Sequence, residues 1–362
     1  MKKLQLLLLF MLAAFINTHI YAAYELVWED TFSSVNTTAW SYETGAGGWG
    51  NGESQYYTSR TDNVKAENSN LVITAKKESY GGANYTSGRI KTLGKVSCKY
   101  GRIEARIKCP WGATGVWPAF WMMGENITSY GWPDCGEMDI MEQMCTSDPN
   151  TWNTTLSTMH WDGTGVNTGG YSHAMYGLQK NVGEQLGNVY RIYGLEWTPN
   201  SIIGYIADEN GNNRSNFFEM AIGQATTDAD GINAFHKEHF ILLNMALGGS
   251  YTGNTIDPNF SSATMLVDWV RIYQDKVAYP TSTLTNHSDL TVGGTTPCTT
   301  ATNPVATFYT DADFGGTAIA LSEGTYTTAN MSGYCLPDNA ISSLKVLPGY
   351  KITVYTNIYP FL

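Results

Sequence analysis

Along much of the chain, apolar and polar residues alternate with a period of two, the pattern of half-buried strands. Between Arg102 and Lys108, the residues Ile103, Ala105 and Ile107 face one way and Arg102, Glu104 and Arg106 the other. Leu266, Asp268, Val270 and Ile272 alternate similarly with Val267, Trp269, Arg271 and Tyr273. Residues 71–75 read as a buried strand, and no long segment carries the helical period of 3.6. Many short strands separated by Gly, Asn and Ser predict two sheets packed face to face, an all-β sandwich. This texture runs from Tyr24 to about Asp275. Residues 276–303 carry many Thr, Ser, Pro and Gly, which predicts a linker. Strand-like sequence resumes at Pro304, so a small second module is expected over 304–362.

Composition sharpens that picture. Of 362 residues only 15% are charged, whereas 11 Trp, 23 Tyr and 12 Phe supply an aromatic surplus. Sugar faces present C–H groups that pack on aromatic rings, so a saccharide-binding surface fits. The formal net charge of −11 argues against nucleic acid or an anionic membrane as partner. A neutral polysaccharide fits better.

The first residues resemble a signal peptide spanning 1–22. Lys2 and Lys3 form the basic start, residues 4–15 the apolar run, and Ile20-Tyr21-Ala22-Ala23 the small-residue exit, which predicts a secreted protein. The apolar run is shorter than the roughly 20 residues that span a bilayer. Six cysteines in an exported chain (Cys98, Cys109, Cys135, Cys145, Cys298 and Cys335) suggest disulfides. At about 3.3 Å per residue, a strand would hold Cys135 and Cys145 roughly 30 Å apart, so pairing across neighbouring strands is expected instead. The spacing argues against zinc, since there is no Cys-x-x-Cys pair with accompanying histidines.

The segment that carries chemistry is Gly136-Glu137-Met138-Asp139-Ile140-Met141-Glu142-Gln143-Met144. Three carboxylates interleave with apolar residues in what otherwise reads as a buried strand. On a regular strand Glu137 and Asp139 share a face, and Glu142 points to the other. One β-bulge between Asp139 and Glu142 returns all three to one face. Clustered carboxylates repel one another unless some keep their protons. Glycoside hydrolysis with retention uses such a cluster: one carboxylate attacks the anomeric carbon and another, protonated, donates to the leaving oxygen. Read alone, the cluster fits a calcium site too, since hard oxygen ligands gather in the same way. Trp117 and Trp121 lie upstream in Gly115-Val116-Trp117-Pro118-Ala119-Phe120-Trp121-Met122 and share a face by their even spacing. Core packing and sugar stacking both suit them.

Taken together, the motifs from Tyr24 to about Asp275 resemble glycoside hydrolase family 16, in its laminarinase-like branch. The resemblance is carried by Trp28-Glu29-Asp30-Thr31-Phe32, Trp49-Gly50-Asn51-Gly52-Glu53-Ser54-Gln55-Tyr56-Tyr57, the tryptophan segment and the acidic segment. Met159-His160-Trp161, Tyr193-Gly194-Leu195-Glu196-Trp197-Thr198-Pro199 and Val267-Asp268-Trp269-Val270-Arg271-Ile272-Tyr273 follow in order. The resemblance implies a β-jelly-roll sandwich with an open cleft over residues 23–275, acting as a retaining endo-β-1,3-glucanase. Carried over by position, Glu137 is the nucleophile, Asp139 its assistant and Glu142 the general acid/base. Asn51, Arg89, Trp117, Trp121 and His160 should line the cleft. No cofactor for catalysis is implied. Asp268 matches a residue that helps hold a structural calcium in family members, with a salt bridge as the competing role. Mixed-linkage glucan or a galactan such as agar remain alternative substrates, and a non-catalytic glucan-binding protein is the alternative class.

In the C-terminal module, Tyr309-Thr310-Asp311-Ala312-Asp313-Phe314-Gly315-Gly316 resembles the hairpin of βγ-crystallin Greek keys. Asp338-Asn339-Ala340-Ile341-Ser342-Ser343 resembles their calcium-binding signature. A second key would begin near Ile352, but residues 359–362 lack its expected glycine, so this Greek-key β module reads as incomplete. Cys298 and Cys335 would tie the linker to it.

Overall fold

A computed structural model describes residues 24–163, 172–223, 231–286, 305–309, 318–322 and 343–347. The leader over 1–22, Cys298, Cys335 and both crystallin-like signatures, apart from the ends of the motifs, lie outside these residues. The described residues form a jelly-roll sandwich of two large sheets, with a separate three-stranded sheet near the C-terminus. The helices among them are short: a single α-helical turn at Ile127–Tyr130 and three 3-10 turns. No described helix is long and apolar enough to cross a membrane.

The ten-stranded sheet is centred on Gly101–Lys108, which pairs with Arg191–Trp197 on one side and Ser262–Gln274 on the other. Gly101–Lys108 alternates cleanly between buried and half-buried positions, and Ile103, Ala105 and Ile107 are fully buried. The alternation in Ser262–Gln274 breaks once. A register shift between Val267 and Trp269 puts Met265 and Val267, then Val270 and Ile272, into the core. The extra residue at Asp268 therefore ends the simple alternation that the sequence suggests.

The nine-stranded sheet carries the site. Its strands lie in the order His173–Asn181, Thr154–Asp162, Glu137–Glu142, Val116–Gly124, His239–Leu247, Arg89–Lys91 and Ser41–Tyr42. Its inner face sends Phe120, Met122, Met138, Ile140, Met141 and Leu243 into the core between the sheets. Removing each such side chain from water contributes about 1.5–3 kcal/mol. The outer face has its own apolar cluster of Ala119, Trp121, Met123, Cys135, Phe240 and Leu242.

Two sequence expectations change here. The segment read as linker begins inside the sandwich, because Thr283–Asn286 pairs with Val96–Lys99 in the nine-stranded sheet. Glu238 holds it there, accepting hydrogen bonds from the Thr283 and Thr285 hydroxyls at 2.7 and 2.9 Å. Nor do the described cysteines pair across strands: Cys98, Cys109, Cys135 and Cys145 are free thiols, all buried. Cys98, Cys109 and Cys145 pack in the main core and Cys135 in the outer cluster, where a thiol serves as a small apolar side chain. Burial pushes the Cys109 and Cys135 thiols up to about 12.

Candidate active site

The acidic strand contains the bulge. Trp121 pairs with Asp139 while its neighbour Phe120 pairs with Met141, so one extra residue enters on the acidic side. On the other flank Asp139 pairs with Thr158 and Glu142 with Leu156, three steps against two. The slip sends both Ile140 and Met141 inward and returns Glu142 to the face shared by Glu137 and Asp139. Gly136 starts the strand at φ +78°, and a Cβ there would come within 2.8 Å of Ala234, so glycine is required for the entry into Glu137.

The three carboxyls are held differently. Glu142 accepts a hydrogen bond from Trp117 Nε1 at 2.9 Å, and the Tyr251 hydroxyl also reaches it. The Tyr251 and Trp117 rings pack at 4.9 Å with their planes tilted by 37°, over a turn in which Gly249 approaches both Trp117 and the Asn51 backbone. Asp139 lies 3.2 Å from His160 Nε2, and Glu137 lies 3.9 Å from the same nitrogen. The Trp132 indole hydrogen-bonds Glu137. His160 Nδ1 lies 2.7 Å from His173 Nε2, which fixes the imidazole between the acids and the sheet edge.

Burial dominates the acidity of all three. It raises Glu137 to about 8, with Asp139 and Glu142 adding to the rise and His160 opposing it. Asp139 is raised by burial and then by Glu142, and Glu142 by burial against the hydrogen bonds from Trp117 and Tyr251. Glu137 and Asp139 are within hydrogen-bonding reach of each other, so the two carboxyls can share one proton. Protons in such a cluster belong to the group as a whole.

That arrangement costs stability in a defined pH window. Below the ordinary glutamate value of 4.5 Glu137 is protonated in folded and unfolded chains alike, and burying it incurs no charge penalty. As pH rises from there through about 8 the unfolded chain ionises first, so the native state loses stability. Glu137→Gln removes the titration. Its melting temperature should match the parent at pH 4.5 and exceed it increasingly up to pH 8. Each kcal/mol recovered is worth about 2–4 °C in a domain of this size. Calorimetry at pH 4.5, 6 and 8 measures it, and a pH-independent difference would contradict the origin in Glu137.

The other cleft residues expected from sequence are on this face too. Trp121 Nε1 donates to Asn244 Oδ1 at 2.7 Å. The Arg89 guanidinium lies over the Trp121 and Trp49 rings at 4.8 and 4.9 Å and pairs with Glu43. Asn51 is exposed at the turn and donates to Glu53 Oε1 at 3.3 Å. Glu53 is itself buried, accepting from Gln55 Nε2 at 2.6 Å and the Tyr57 hydroxyl at 3.0 Å. Sequence reasoning missed Tyr251, Trp132, His173 and this Glu53–Tyr57–Asn244 network. Of these, Glu53 and Tyr57 had a signal, since both lie within the motif containing Asn51.

Asp268 belongs elsewhere. Its carboxylate accepts from Arg106 Nη1 at 2.8 Å, the salt bridge that was the competing role for this residue. Among the described residues, metal-type donors from three side chains converge within 4.8 Å at Glu137, Asp139 and His160, the atoms of the acid cluster itself.

Comparison with known proteins adds an independent finding. Residues 51–223 match the family model described as glycosyl hydrolases family 16. The chain is 35% identical over 264 residues to a beta-glucanase of Rhodothermus marinus, an alignment covering 69% of this chain and 85% of that one. It is 38% identical over 254 residues to the clotting factor G alpha subunit of Tachypleus tridentatus, covering 70% of this chain but only 34% of that longer relative. The crystal structure of the laminarinase from Rhodothermus marinus superposes with a TM-score of 0.59 at 32% identity, covering 69% of this chain and 97% of the other.

Proposed function

Because the chain belongs to glycosyl hydrolases family 16, we propose that it is an exported endo-β-1,3-glucanase that cleaves with retention, using Glu137 as nucleophile and Glu142 as acid/base. The observation that carries this reading is the bulge, which gathers three carboxyls on one face and leaves Glu142 with two neutral hydrogen-bond donors. The names of the relatives, a beta-glucanase and a laminarinase, favour β-glucan as substrate.

In the first step the Glu137 carboxylate bonds to the anomeric carbon as the glycosidic C–O bond breaks. Glu142 gives its proton to the departing oxygen, so no alkoxide forms. Asp139, within hydrogen-bonding reach of Glu137, shares a proton with it and leaves Glu137 free to attack as the anion, the two titrating as one group. In the second step water attacks the same carbon, Glu142 takes the water proton, and the bond to Glu137 breaks. Trp117 and Tyr251 stabilise Glu142 in its ionised form between the steps. Trp121 and Arg89 offer a ring face and a cation for the sugars on the other side of the site. Export is favoured by the basic and apolar leader.

Product analysis with laminarin, lichenan and agarose side by side tests the reading. Short β-1,3-linked oligosaccharides should appear first from laminarin. Faster cleavage of lichenan or agarose would replace the substrate and keep the chemistry. Binding of laminarin without cleavage of any of the three would overturn the enzyme reading.

A further inference from the structure

Past Glu142, the catalytic face continues into a cavity of about 200 Å³ that the chemistry above does not use. Strand pairing fixes its position, since residues directly opposite each other in neighbouring strands point to the same face. Glu142 pairs with Leu156, Leu156 pairs with Gln179 and Thr154 with Asn181. Leu156, Gln179, Thr154 and Asn181 all line the cavity, together with Met144 and Asn150. The next residue along the strand, Ser157, points the other way: its hydroxyl donates to the Ile140 carbonyl at 2.8 Å and faces Gly204 of the ten-stranded sheet. The cavity therefore begins in the cross-strand row of the acid/base itself.

Its lining suits a neutral sugar. Met144 and Leu156 are half-buried and offer an apolar floor for the C–H face of a pyranose. Gln179 is exposed and carries both donors and an acceptor for hydroxyls. Asn181 is already fixed, accepting from the Gly183 amide at 2.8 Å and donating to the Asn150 carbonyl at 3.4 Å. The acid on the rim, Asp148, is capped by the Asn150 amide and side chain at 2.9 and 3.0 Å. With a water-sized group taking about 30 Å³, the volume suits one monosaccharide unit.

The direction of the chemistry places that unit. In-line displacement puts the leaving oxygen opposite the attacking carboxylate, so the departing part of the polymer extends from Glu137 past Glu142. We propose that the cavity is a subsite for a pyranose of the leaving-group portion of the glucan, with Gln179 and Leu156 deciding how many sugars are held on that side. The proposal rests on the glucanase reading.

A β-1,3-linked glucopentaose carrying ¹⁸O at its reducing-end hydroxyl tests it, with mass spectrometry giving the fraction cleaved at each bond. These fractions compare bonds within one substrate and do not depend on how much of a variant is folded. Gln179→Ala and Leu156→Ala should each shift cleavage toward the reducing end, leaving fewer sugars on the departing side. In Gln179→Ala the ratio between adjacent bonds should change by about fivefold, the factor carried by one neutral hydrogen bond, and in Leu156→Ala it should move in the same direction. Unchanged bond fractions in both variants would overturn the subsite. Failure of the unaltered enzyme to cleave the pentaose would overturn the glucanase reading, and the subsite with it.

Discussion

Glu137→Gln should lower turnover of β-glucan by at least about 10⁴-fold while the protein stays folded and binds its substrate. An amide matches the carboxyl in size and still accepts from Trp132, so the strand and its bulge have no reason to rearrange. What disappears is the charged oxygen that forms the bond to the anomeric carbon. Binding should survive because the side chains proposed to hold sugars, Trp121 and Arg89 among them, are untouched. The check is kcat on laminarin with affinity measured by calorimetric titration. Turnover within tenfold of the parent would remove the nucleophile role from Glu137 and turn attention to Asp139, which shares its face.

Glu142→Ala should behave differently according to the leaving group. On glucan, where the departing oxygen must be protonated, the loss should be about 10²–10⁴-fold. On an aryl glycoside with an acidic phenol the first step needs no proton, and the loss should fall mainly on the second step. Azide should then restore turnover, attacking the anomeric carbon and displacing the Glu137 carboxylate without a base. The product should be a β-glycosyl azide, identified by its proton coupling constant. An α-azide would mean inversion, and absence of rescue with equal losses on both substrates would remove the acid/base role from Glu142.

The acid cluster was legible in the sequence because its signal is local. Charged residues in a buried strand violate its pattern, and the parity of positions 137, 139 and 142 requires one extra residue. The bulge lies where that parity demands it. Trp117 and Trp121 were legible for the same reason, as residues of one strand with even spacing. The cleft partners that escaped depend on which distant segments become neighbours. Tyr251 reaches Glu142 from a turn more than a hundred residues further on, and nothing in Gly248-Gly249-Ser250-Tyr251 marks that ring among 23 tyrosines. The ion-pair partner of Asp268 escaped likewise, since Arg106 lies on an adjacent strand but 162 residues away. The linker boundary failed because Thr-rich sequence suits a loop and an edge strand equally. Only Glu238, an acid placed to receive two threonine hydroxyls, decides between them.

The bulge also separates what this scaffold must keep from what it is free to vary. The spacing of the proposed catalytic pair is written into backbone pairing on both flanks of one strand, where a single insertion or deletion would turn Glu142 into the core. The surfaces proposed to meet the rest of the polymer are side chains such as Asn51, Arg89 and Gln179, on a turn and on other strands of the sheet, whose replacement leaves that pairing alone. Selection can therefore act on the two independently. Descendants of such a chain can change diet, from one linkage or polymer to another, while inheriting the bond-breaking step intact.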